Sequence, residues 1–180
     1  MGFVDTTPRK LTLAQFDALP DDGMRHELLD GRLLVTPGPR DEHQRAAGVC
    51  YGRLLRACPA DMEVFFAPSD FRPNNKTCLQ PDLMVWHEDQ ARRTLILAVE
   101  VLSPSTRSVD LVTKRHAFEK AGVASYWIID PDELVLTVLE LVDGRYVERT
   151  FKDDEAFEAA RPFPVRIVPA DLGHRANGSA

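Results

Sequence analysis

Apolar residues run in short blocks along this chain, and the densest block, LILAVEVL at residues 95–102, has Glu100 as its one interruption. A run this apolar and this short predicts a strand buried on both faces, where a carboxylate is costly unless something pairs with it. LQPDLMVW carries an acid near its start, Asp82, and SYWIIDP is almost continuously apolar. HELLDGRLLV holds two apolar runs joined by Asp30-Gly31, and LVLTVLELVDGRYVERTF repeats the device, so both predict hairpins. The alternation in the second hairpin suits a half-exposed edge. MEVFFAP reads as a strand, whereas SDFRPNNKTC, rich in Asn and Pro, reads as an exposed irregular segment.

Three segments predict helices. Thr12 and Gln15 form a capping-box pattern that opens TLAQFDAL, which ends at Pro20. Asp41 and Gln44 open a second helix running to about Cys58, stopped by Pro59, with Ala46, Val49, Leu54 and Leu55 as its apolar face. A third runs from Ser108 to Ala121 and closes at Gly122. This last helix lies between the Glu100 strand and the SYWIIDP strand, a crossover that suits a parallel pair. The expected fold is α/β (α+β), a central mixed β-sheet flanked by α-helices with added N-terminal and C-terminal hairpins. Residues 1–173 are expected to form one domain, and 174–180 a disordered tail.

Composition narrows the function classes. With 44% hydrophobic residues in 180, the chain can build a real core. No run approaches the roughly 20 apolar residues of a membrane span, and the N-terminus has no signal-peptide pattern, so a cytoplasmic protein is expected. Cys50, Cys58 and Cys78 fit neither a disulfide framework nor a zinc spacing and read as ordinary thiols. The net charge of −6 argues against non-specific nucleic-acid binding by the surface as a whole. Its distribution is uneven: residues 92–120 carry six Lys or Arg against three acids, and residues 130–158 ten acids against three bases. That asymmetry is open to two readings, a binding region or a solvated face.

The candidate chemistry starts from the acids. By the two-residue period Asp82 shares a face with Met84 and Trp86, and Glu100 shares one with Ile96, Ala98 and Leu102. If the two strands are neighbours, the carboxylates converge, and two anions in an apolar sheet need a cation. A hard divalent ion such as magnesium would serve. So would an Arg partner, Arg107 for instance, or a place for Glu100 at a strand end in water. Lys114 lies in the helical stripe Leu111, Lys114, Phe118, Ala121, from which its ammonium can point at the sheet; it can equally pair with Asp110 on a solvated face. Glu27 alone reads as an exposed strand carboxylate.

Taken in order, HELLDGRLLVTP, EHQ, QPDLMVW, EVLSPSTRSVDLVTKRHAFEKAGV and SYWIIDP resemble the Uma-two-type restriction endonuclease family, a branch of the PD-(D/E)xK nuclease superfamily. The resemblance covers roughly residues 12–150 and implies a restriction-endonuclease-like core with acids and a lysine around magnesium, or manganese in its place. Pro81-Asp82 matches the superfamily's Pro-Asp, Glu100 its second acid and Glu27 its first acidic position. The usual Glu-x-Lys is broken, because Leu102 stands where the lysine would be; the matching candidate is Lys114 on the following helix. His26 replaces the family's usual aromatic before the first acid.

The implied function is metal-dependent hydrolysis of DNA phosphodiester bonds. The resemblance implies catalytic roles for Glu27, Asp82, Glu100 and Lys114, and a metal held by Asp82, Glu100 and the Val101 carbonyl, with Glu27 as a further or water-mediated ligand. The metal would activate a bound water, which Lys114 would orient. His43, in EHQ, could contact phosphate or line the cleft, although a lone His at a helix start is more often structural. Ser103, Ser105 and Thr106 could bind phosphate, with turn formation and helix capping the plainer role. Cys78, His87 and His116 lack any metal-ligand spacing. The partner expected is DNA, and cleavage of both strands suggests a homodimer, for which the second hairpin is a candidate interface. A non-catalytic binding or oligomerisation module that kept the nuclease-like fold is the competing reading.

Overall fold

In the computed structural model, residues 10–36, 38, 40–89, 93–103 and 109–173 are described. The expectations for Ser105, Thr106, Arg107 and the tail 174–180, and the side chain of Asp110, lie outside them. The chain opens with α1 (Leu13–Asp17), which carries the expected capping box between Thr12 and Gln15. The hairpin of β1 (Arg25–Leu29) and β2 (Arg32–Thr36) follows. Its turn has Asp30 at φ 49° and Gly31 at φ 84°, the two positive values that make Asp-Gly the favoured hairpin link. Next comes α2 (Asp41–Ala57), which ends as Cys58 turns extended ahead of Pro59. Its buried face is Ala46, Ala47, Cys50 and Leu54, while Leu55, expected there, is half exposed.

Beyond α2 the chain makes β3 (Met62–Phe66), β4 (Phe71–Asn74), β5 (Thr77–Leu79), β6 (Leu83–Glu88) and β7 (Arg93–Val101). The segment read as irregular therefore contains β4 and the start of β5, which pair across a bulge. A π-type helical stretch, Val109–Lys114, runs into α3 (Arg115–Ala121), which ends at Gly122 in the left-handed conformation. Then come β8 (Ser125–Asp130), β9 (Val135–Val142), β10 (Arg145–Lys152), β11 (Phe157–Ala159), β12 (Val165–Ile167) and α4 (Pro169–Leu172).

A six-stranded sheet in the order β10-β9-β8-β7-β6-β3 dominates the fold. Its one parallel pair is β7 with β8, joined through α3 as the crossover pattern predicts. Among the described residues, a four-stranded sheet, β2-β1-β5-β4, and the β11–β12 pair complete the strands. The large sheet has a core on each face. On one, Leu83, Leu97, Val99, Trp127 and Val138 pack with α2, α4 and the β11–β12 pair. On the other, Met84, Ala98, Leu102, Tyr126 and Leu139 pack with Leu29 and Leu79 of the small sheet and Phe118 of α3.

One register detail departs from simple alternation. Val85 pairs with Leu97 but Trp86 pairs with Leu95, so Ile96 is the extra residue of a bulge. Leu95 therefore joins Ala98 and Leu102 in one core cluster, and Ile96, expected on Glu100's face, belongs to neither. The cysteines are free, with Cys50 and Cys78 buried. Among the described residues no helix is long and apolar enough to cross a membrane.

Candidate active site

The site lies where β6 begins and β7 ends. The ladder pairs Leu83 with Val99, so Asp82, one residue earlier, stands abreast of Glu100. Pro81 has no N–H to offer a ladder, and the pairing stops there. In its place the Asp82 side chain takes over: its Oδ2 accepts the Val101 N–H at 2.8 Å. The same oxygen receives His43 Nε2 from the first turn of α2 at 3.0 Å, and Oδ1 receives the Arg25 guanidinium at 3.1 Å. Burial works against the Asp82 charge, but His43, Arg25 and the Val101 N–H outweigh it and hold the carboxyl down at about 2.

β1 fixes the approach to Asp82 from the other side. Arg25 and Glu27, two residues apart, share a strand face. Glu27 Oε1 accepts the Gln80 N–H at 2.7 Å, while Arg25 donates to the Gln80 carbonyl. Gln80, just ahead of Pro81-Asp82, is thus gripped at both backbone groups by one strand. Burial alone would lower the Arg25 pKa, but the charges of Glu27, Asp82 and Glu100 override it and raise it. Glu27 is 1% exposed, which overturns its reading as a solvated strand carboxylate: its two oxygens meet the Gln80 N–H and the Lys114 ammonium.

Lys114 closes the cluster. Its Nζ is 2.9 Å from Glu27 Oε2 and 2.8 Å from Glu100 Oε1, with all three side chains buried. It is the last residue of the π-type stretch, a rare geometry that recurs at functional sites. Four residues on, Phe118 anchors α3 against Phe71 and Tyr126, at ring distances of 5.8 and 4.8 Å. At the helix end, Glu119 accepts the Tyr146 N–H and Tyr146 Oη donates to the Val123 carbonyl. Of the stripe expected on this helix, Lys114 and Phe118 are buried, Leu111 is half-buried and Ala121 is exposed. Leu102, on Glu100's face, is buried in the adjoining core, so Lys114 brings its charge to the side of the sheet where a lysine at 102 would have stood.

The structure thus brings together Glu27, Asp82, Glu100, Val101 and Lys114. It adds Arg25, which sequence reading missed although its i, i+2 relation to Glu27 was visible, and gives His43 a definite contact. Ser103, half-buried, lines a hollow of about 380 Å³ with Arg40, His43 and Leu102, at the ends of β7 and β8. His87 lies 3.3 Å from Asp61, away from this cluster. Among the described residues no group of three or more His, Cys, Asp or Glu side chains is arranged as a metal cage. A hard cation such as magnesium needs only one or two protein carboxylates, with water and phosphate completing its shell. Asp82 and Glu100 are oxygen donors of that kind.

A family model described as "Putative restriction endonuclease", Uma2, matches residues 13–171. The chain belongs to the Uma2 family. The Uma2 chain also resembles a solved structure, that of a putative nuclease belonging to DUF820 from Anabaena variabilis, with a TM-score of 0.72. At 19% identity, over 90% of this chain and 97% of that one, the likeness establishes the nuclease-type fold. No curated protein is significantly similar to this Uma2 member.

Proposed function

We propose that this protein is a divalent-metal-dependent endonuclease that hydrolyses DNA phosphodiester bonds. The observation that carries the reading is the buried convergence of Glu27, Asp82 and Glu100 around Lys114 and Arg25. Asp82, Glu100 and the carbonyl of Val101 would hold the metal, magnesium or manganese, with Glu27 as an outer ligand. When bound, the metal supplies Lewis-acid polarisation of the phosphate and a water of lowered pKa. Lys114, held between Glu27 and Glu100, would orient the attacking water or meet the negative charge that develops on phosphorus oxygens. Glu27 keeps that ammonium in place and, through Gln80, fixes the backbone leading into Asp82. Arg25 and His43 set the orientation of the Asp82 carboxylate. In the reaction the water oxygen bonds to phosphorus and gives up a proton to solvent, one P–O ester bond breaks, and the departing sugar oxygen takes up a proton from solvent.

In the test, purified protein is incubated with plasmid and oligonucleotide DNA with and without magnesium or manganese. Metal-dependent cleavage is expected, with Asp82→Ala, Glu100→Ala and Lys114→Met each losing more than about a hundredfold in rate. Cleavage without metal, or unchanged in these variants, would sink the reading. A second reading, a non-catalytic module on a nuclease fold, is favoured by one observation: both Asp82 oxygens already have partners in Arg25, His43 and the Val101 N–H. Calorimetric titration with millimolar magnesium separates the two, because the module binds none.

A further inference from the structure

Directly beside Asp82 lies a cleft of about 560 Å³, within the range of about 300–1,000 Å³ typical of small-ligand pockets. Its walls are apolar: Phe16, Leu19, Met24, Phe66 and Pro68 contribute most of them. Its inner end is polar, formed by Arg25, His43 and Asp82 of the cluster just described. Two wall residues are large apolar side chains left open to solvent, Met24 at 49% and Phe66 at 39% exposure. Phe66 is not loose, since its ring packs on Tyr51 with centroids 4.2 Å apart. Three buried nitrogens on residues of this wall, Arg25 Nε, His26 Nδ1 and His43 Nδ1, have no hydrogen-bond partner among the described residues. They add to the polar character of the inner end without being open to the cleft.

We infer that this cleft receives one unpaired nucleobase next to the scissile phosphate, so that the preferred substrate is single-stranded or locally unpaired DNA. The inference rests on the nuclease reading and adds the substrate class. A base has an apolar π-face and a hydrogen-bonding edge, and the cleft offers an apolar wall and a polar end in that arrangement. A phosphate held at Asp82 places the attached nucleoside within reach of the cleft, because the cleft and the carboxylate cluster share Asp82 and Arg25. The volume admits a nucleotide but not a duplex, so a base must leave its stack to enter, which is cheapest where it is already unpaired. The net charge of −6 also disfavours the long row of phosphate contacts that duplex binding uses.

The experiment measures binding by fluorescence anisotropy, with calcium in place of magnesium. Three short probes are used: a single-stranded DNA, its blunt duplex and an abasic strand of the same length. Wild type is expected to bind the single strand about tenfold more tightly than either other probe. Phe66→Ala and Met24→Ala, both at exposed positions, are each expected to lose about five- to tenfold on the single strand and nothing on the abasic strand. Phe66→Trp keeps the ring and is expected to keep the affinity. Equal binding of duplex and single strand, or an equal loss on the abasic strand, would overturn the inference. If Phe66→Ala binds like wild type while magnesium-dependent cleavage still requires Asp82, the cleft assignment falls and the nuclease reading stands. If no probe binds and no DNA is cut, both fall.

Discussion

At the scale of single residues, the central fact is that three buried carboxylates meet between the two sheets, and two cations, Arg25 and Lys114, reach them from different elements. Lys114 bridges Glu27 and Glu100, and removing one partner of a buried ion pair typically costs about 3–5 kcal/mol, because the charges left behind cannot be resolvated. Lys114→Met is therefore expected to lower stability by about that amount in urea denaturation; a change below about 1 kcal/mol would mean that Lys114 does not hold the cluster together. Asp82 gives a pH signature. Its carboxyl sits at about 2 in the fold against an ordinary 3.8, so its contribution to stability is complete above the ordinary value and is lost as pH falls towards the folded one. In the metal-free protein Asp82→Asn should cost about 2 kcal/mol near neutral pH, and the gap to wild type should close as pH drops from about 4 to about 2. A gap that stays constant over that window would show that the charge of Asp82 is not what Arg25 and His43 stabilise.

At the scale of elements, the turn between β1 and β2 decides where Arg25 and Glu27 stand. Gly31 donates to the Lys76 carbonyl at 2.8 Å and accepts the Leu11 N–H at 2.7 Å, so three segments meet at one turn. A Cβ at Gly31 would lie 2.9 Å from Lys10 Cβ and 3.0 Å from the Leu11 oxygen, at φ +84°. The equivalent Gly144 of the second hairpin, at φ +78°, has nothing within 4 Å of its would-be Cβ. Gly144→Ala should therefore cost only the left-handed strain of about 1–2 kcal/mol, and Gly31→Ala clearly more, when the two are compared by thermal unfolding. Equal losses would show that the crowding at Gly31 relaxes away. Both hairpins were legible in the sequence because Asp-Gly dictates the turn locally, and the β7–α3–β8 crossover because apolar runs flanked a helical pattern. The β4–β5 pairing was not, since FRPN and TCL are too short to show an alternation of their own and pair with each other while TCL alone joins β1. Nor was the Ile96 bulge, which depends on the partner register. At the site, Glu100 betrayed itself by its apolar setting, whereas the burial of Glu27 and the presence of Arg25 come from the small sheet folding over the large one. Lys114 was legible in its helical stripe as a cation able to reach the sheet, but Leu102 erased the local motif, and a partner in Asp110 fitted the sequence equally well.

At the scale of the whole molecule, charge and topology together set how DNA would approach under the proposed function. The ten acids against three bases of residues 130–158 fall from the end of β8 onward, three on the β9–β10 hairpin at one edge of the large sheet and most of the rest in the turns that flank it. The site sits near the opposite half of that sheet, between β6, β7 and the small sheet, with Arg25 and Lys114 inside it and Arg40 at the neighbouring hollow. A polyanion is repelled along one edge and attracted at a few points, so its footprint should be small. Each phosphate neutralised contributes about −0.9 to the slope of log K against log salt on duplex and about −0.7 on single strands. Proteins that line a duplex with 6–10 contacts show slopes of about −5 to −9; here the slope should be shallower than about −3 for any DNA probe. Anisotropy titrations at several salt concentrations measure it directly. A slope of about −6 or steeper would require a broad basic face and would place DNA along the segment 92–120 rather than at the cleft beside Asp82. A shallow slope together with strong dependence on Phe66 would locate recognition in the base rather than the backbone, which an acidic protein with a compact site can achieve without extended phosphate contacts.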